Sequence, residues 1–134
     1  RNMSSAASDV YKRQGLENPS SSLKVLFAAM RPPSADMRVL YRLKRADTST
    51  FDKKYELFPG FKNLDSAGDV LNPDNNDGQS DKKIPASLNN QFVEYEYTVD
   101  NLPQFTAFQI KVVFNSTNQS ESPELMDFRT IAVA

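Results

Sequence analysis

From Gly15 onward, apolar and polar residues alternate with period two in short runs bounded by Pro, Asn, Asp, Ser and Gly, the pattern of half-buried strands. After a turn-like lead-in at Asn18–Ser22, Leu23, Val25 and Phe27 share one face of a first strand that runs to Ala29. Pro32 and Pro33 stop it, because proline cannot donate to a ladder and restricts the residue before it. A second strand runs from Asp36 to Arg45, with Met37, Val39, Tyr41 and Leu43 inward and Arg38, Arg42 and Lys44 outward. The apolar segment Tyr55–Phe61 is broken by Pro59-Gly60 and predicts a short edge strand or a packed loop. Asp65–Asp81 reads as a long polar loop, a feature that is usually functional or disordered. Three more strands are predicted at Gln91–Val99, Phe108–Phe114 and Phe128–Ala134. Helix-period stripes of useful length are missing, so the expected fold is all-β: a single-domain antiparallel β-sandwich, jelly-roll-like in arrangement.

Composition narrows the chemistry. The 134 residues include neither cysteine nor histidine. That removes disulfides, thiolate nucleophiles, Ser-His-Asp arrangements and imidazole or thiolate metal sites. Sixteen Lys+Arg against seventeen Asp+Glu give a net charge of −1, too balanced for a nucleic-acid partner. No apolar run approaches the roughly 18 residues of a membrane span, so no membrane insertion is expected.

Residues 4–14 read SSAASDVYKRQ, which is the first-frame translation of a transposon-based sequencing adapter. On that identity, residues 1–14 are expected to be an adapter-derived, disordered tail and 15–134 the domain. Without Arg1, Asp9, Lys12 and Arg13 the chain has 13 basic and 16 acidic residues, a net charge of −3. The natural start then lies upstream, and the absence of a leader carries no information about location.

Candidate chemistry is sparse. Glu94 and Glu96 project from the same face of one strand, near the roughly 5–9.5 Å spacing of glycosidase carboxylates. Cross-strand ion pairs opposite Lys111 or Arg42 are the better reading, and no enzyme is expected. Within the polar loop, Asp74, Asn76, Asp77 and Asp81 are the candidate ligands for calcium, a cation that takes about six to eight oxygens. The EF-hand spacing fails, with Pro73 where its first aspartate belongs, and a solvated Asn/Asp/Gly loop is favoured over any cofactor. Tyr55, Phe58 and Phe61 are candidates for stacking on a sugar or docking a partner, with core packing the stronger alternative. Arg38 and Arg42, on the basic face around Tyr41, are candidates for an acidic glycan or phosphate. Asn115-Ser116-Thr117 and Asn118-Gln119-Ser120 match the glycosylation sequon.

Several segments together resemble the C-terminal region of large virion structural proteins of T4-like marine phages. They are Leu16–Val25, Arg31-Pro32-Pro33 with Asp36–Arg42, Tyr55–Gly60, Phe108–Val113 and Asp127–Ala132. The resemblance spans nearly all of 15–134, on strand and turn sequences rather than site signatures. It implies a noncatalytic module of a tail, baseplate or tail-fibre protein, located in the virion. Other virion proteins would be its partners, in a homo-oligomeric assembly, with a cell-surface glycan as the candidate host ligand. A carbohydrate-binding module of a larger enzyme or adhesin, calcium-dependent or not, is the alternative.

Overall fold

The computed structural model describes residues 3–4, 9–61, 66–67, 76–87, 91–116 and 123–133. Among these described residues eight strands follow in chain order: β1 (Met3–Ser4), β2 (Asp9–Ser20), β3 (Ser22–Met30), β4 (Ala35–Arg45), β5 (Glu56–Leu57), β6 (Val93–Val99), β7 (Phe105–Ser116) and β8 (Glu124–Val133). They form two four-stranded sheets, ordered β1-β8-β3-β6 and β2-β7-β4-β5. The first strand pairs with the last, the second with the seventh, the third with the sixth and the fourth with the fifth, all antiparallel. The chain is thus one long antiparallel ribbon rolled into a sandwich, with β3–β8 and β4–β7 pairing where successive turns of the roll meet. This is the jelly-roll order, two Greek keys in two packed sheets.

The period-two pattern is the cause of the roll. Along β3, β4 and β7 buried and half-buried residues alternate, so each strand gives one apolar face to the space between the sheets. Leu23, Val25 and Phe27 meet Val39, Ile110 and Val112 there, all essentially inaccessible to solvent. Phe27 is the hub on one sheet, with ring centroids 5.8 Å from Tyr95, 5.3 Å from Tyr97 and 5.9 Å from Phe128.

Strand β8 reaches this core through an irregularity. Leu26 pairs with Arg129 but Ala28 with Met126, so Asp127 and Phe128 together face Phe27, and Asp127 takes the left-handed φ of 57°. The extra residue lets Leu125 and Phe128, three apart, face the same side. The predicted strand Phe128–Ala134 therefore begins too late; the observed one starts at Glu124. Without the bulge, its apolar positions do not alternate.

The N-terminal segment is a second correction. Asp9–Gln14, expected in a disordered tail, pair regularly with Val113–Phe108 of β7. The lead-in Asn18–Ser22 is strand rather than turn at Asn18–Ser20. At the inward positions opposite the buried Ile110 and Phe108, β2 places Lys12 and Gln14. Both reach across to β8: Lys12 Nζ donates to Phe128 O at 3.3 Å, and Gln14 Oε1 accepts from Thr130 Oγ1 at 2.9 Å. The register with β7 shifts between Gly15 and Ser20, at the boundary where the adapter-like residues end.

On the opposite side, residues 76–81 lace the two sheets together. Gly78 donates to Phe58 O at 2.8 Å and accepts from Val39 N at 3.0 Å, while Asp81 N donates to Glu96 O at 2.7 Å. The end of the long polar loop thus closes the seam between β4 and β6.

Candidate functional site

The residues singled out from sequence disperse. Phe58 is fully buried, its ring 5.1 Å from Tyr41 and 6.1 Å from Tyr97. It is a core side chain and does not face a ligand. Arg38 locks the seam, its Nε donating to Asp36 at 2.7 Å and its Nη1 to Asp77 O at 2.5 Å.

Tyr55 and Arg42 do meet, on the outer face of the β2-β7-β4-β5 sheet. The Arg42 guanidinium lies 4.9 Å from the Tyr55 ring centroid and 5.5 Å from that of Phe51. Lys111 Nζ lies 5.3 Å from the Tyr55 ring and Arg13 covers Phe51 at 4.7 Å. Arg42 Nε and Tyr55 Oη both donate to Gln109 Oε1, at 2.5 and 3.4 Å. Cation–π stacking of this kind stabilises the surface, and it occupies ring faces that a stacked sugar would need.

Of the proposed calcium ligands, Asp74 lies outside the described residues. Asn76 is exposed, and Asp77 Oδ1 accepts from Gln79 N at 3.0 Å. Asp81 spends both oxygens on Thr98, accepting from its N at 2.8 Å and its Oγ1 at 2.6 Å. Burial pushes the Asp81 carboxyl above its ordinary range, with the Thr98 hydrogen bonds opposing. Among the described residues no three acidic side chains converge on a metal position. In the sequons, Asn115 is exposed and Thr117–Ser120 lie outside the described residues.

Glu94 and Glu96 stand on the outer face of the other sheet, away from Lys111 and Arg42. Their partners are Arg129, which reaches Glu94 diagonally across β3, and Lys24, whose Nζ is 2.5 Å from Glu96. The hydrogen bond and charge of Glu96 raise the Lys24 amine above its ordinary value. Glu96 is thus held by a cation on the adjacent strand and Glu94 by one two strands away.

A pocket of about 340 Å³ lies beneath the seam. Tyr95 and Tyr97 of β6 and Asp36 and Met37 of β4 line it from the two sheets, Asp77, Gln79 and Ser80 from the lace, and Arg31, Phe61, Lys83 and Ile84 from the rim. Arg31 bolts the β3–β4 corner in place, donating to Ala35 O at 3.0 Å and Ile84 O at 3.1 Å. Asp36 accepts from Arg38 and, at 3.3 Å, from Gln79 Nε2. Burial drives the Tyr97 hydroxyl well above its ordinary pKa, so it stays protonated. Tyr95 is 3 % exposed, and its hydroxyl is buried with no hydrogen-bond partner among the described residues. An unmet polar group of that kind costs about 1–3 kcal/mol.

Of the sequence-named candidates among the described residues, Phe61 and Asp77 line this pocket. Tyr95 and Tyr97 carried a legible signal, two phenols on the inward face of a strand, where a core usually takes hydrocarbon. Arg31, Gln79 and Lys83 carried none, since loop closure brings them there. Comparisons with protein-family models, with curated proteins and with solved structures returned no match.

Proposed function

We propose that the chain is a noncatalytic virion structural module of a phage tail-associated protein, acting by contact in assembly or host-surface attachment. The jelly-roll order carries this reading. A rolled ribbon holds its faces and loops rigidly, and jelly rolls serve viral capsids and lectins alike. The segments resembling tail-associated virion proteins add support. Virion proteins work in symmetric copies, so weak contacts add by avidity. Antibodies raised against residues 15–134 are expected to label the tails of particles from the phage that encodes the chain and to slow their adsorption to cells. Particles that carry no label sink the reading.

The second reading, a carbohydrate-binding module, is favoured by the pocket with its unmet tyrosine hydroxyl. Sites for small ligands are concave, mixed apolar and polar, and largely preformed.

A further inference from the structure

The pocket points to a ligand class. Its lining holds two cations, Arg31 and Lys83, and two carboxylates, Asp36 and Asp77, so charge balance selects neither an anion nor a cation. Phe61, Met37 and Ile84 supply apolar wall. The Asp36–Gln79 pair and the two tyrosines supply hydrogen-bonding groups set close to that wall. A guest that suits such a lining is neutral, rich in hydroxyls and apolar on one face. A pyranose ring has those properties, with C–H faces that pack on aromatic and aliphatic carbon and hydroxyls around its rim. The volume, about 340 Å³, is at the small end of ligand sites and suits a terminal sugar rather than a long stretch of polymer.

We propose that the pocket beneath residues 76–81 binds a terminal neutral hexose, with Asp36, Gln79 and the Tyr95 hydroxyl as its hydrogen-bonding partners and Phe61 as its packing wall. This rests on the carbohydrate-binding reading. The Tyr95 hydroxyl is the discriminating group. It has no hydrogen-bond partner among the described residues, so its removal takes no such bond from them, whereas a guest that bonds to it loses an interaction.

The test is a titration of the isotope-labelled full chain with the methyl glycosides of glucose, galactose and mannose, followed by amide NMR. Methyl glucuronide is the anionic control. Saturable shifts are expected at Gln79, Ser80 and Tyr95 with at least one neutral glycoside. Tyr95→Phe is expected to weaken that binding about tenfold, the value of one lost hydrogen bond, with a melting temperature no lower than wild type. Gln79→Ala, which changes a half-buried side chain, is the second probe and is expected to weaken it similarly. Affinity unchanged in both variants overturns the proposal, as do shifts centred on Arg42 and Tyr55 or a preference for the glucuronide. Absence of saturable shifts into the tens of millimolar also overturns it. If antibody labelling of tails succeeds while the glycosides fail, the virion reading stands and the sugar pocket alone falls.

Discussion

Gly78 shows how much of this fold hangs on single backbone positions. It is buried with φ at 75°, and its N–H and C=O join Phe58 to Val39. A Cβ there would lie 2.7 Å from Leu57 Cδ2 and 3.3 Å from Arg38 Cβ. Gly78→Ala is expected to cost about 1–2 kcal/mol, the penalty of a left-handed L-residue, read from urea unfolding. Asp81 is the second such residue. Its folded pKa lies above the ordinary 3.8 because burial disfavours the anion. The folded state therefore keeps this proton to higher pH than the unfolded chain does. The stability it contributes is fully present below 3.8 and falls as pH rises through the raised folded value. Asp81→Asn keeps an acceptor for Thr98 and removes the titration. Stability plotted against pH should be flatter for this variant in the acid range; superimposable curves would refute the assignment. Asp81→Ala, which strips both Thr98 hydrogen bonds, is expected to cost about 1–3 kcal/mol.

Among the elements, β2 departs most from the rule that governs the others. Where β3, β4, β6 and β7 turn apolar side chains inward, β2 turns Lys12 and Gln14 toward β8. Inward-pointing charge is one way natural edge strands avoid further pairing, and it forgoes burial. Lys12→Ile is expected to raise stability by about 1 kcal/mol through apolar burial, measured as a higher denaturation midpoint. Deleting residues 1–14 removes β1 and the regularly paired Asp9–Gln14 of β2 and bares the backbone of β7 from Phe108 to Val113. The expected result is self-association on size exclusion with light scattering, since an open, long edge recruits another strand. A deletion variant that stays monomeric with unchanged stability would show that this pairing contributes nothing. Strand β5 solves the same edge problem differently, by being only two residues long.

At the scale of the whole molecule, the ribbon must join distant residues before it gains anything. Asp9 pairs with Val113 and Ser22 with Val133, so loop-closure entropy opposes the first contacts. Folding is expected in the range of milliseconds to seconds, as for other β-topologies of high contact order, observable by stopped-flow fluorescence of the tyrosines. The core that compensates is continuous through both sheets, and Phe27 touches three other rings within it. Phe27→Ala is expected to cost about 3–5 kcal/mol, a large part of the roughly 5–15 kcal/mol that holds a domain. A loss below about 1 kcal/mol would mean that the rings repack without it.

By itself the amino-acid sequence determined the all-β class and the inward faces of β3, β4, β6 and β7. Those properties depend on side-chain alternation along a single strand, a local period that needs no partner to be read. The tertiary structure alone decided which strands share a sheet. Glu94 and Glu96 accordingly meet Arg129 and Lys24 rather than Lys111 and Arg42, and Phe58 lies in the core while Phe61 lines a pocket. It also decided the bulge at Asp127 that lets β8 use Leu125 and Phe128 together, and the inclusion of Asp9–Gln14 as an edge. Pairing partners are set by non-local closure, in which the backbone of β7 accepts a strand that places Lys12 and Gln14 at inward positions. The candidate site belongs to this second class, because its lining comes from four separated segments that only the rolled ribbon brings to one seam.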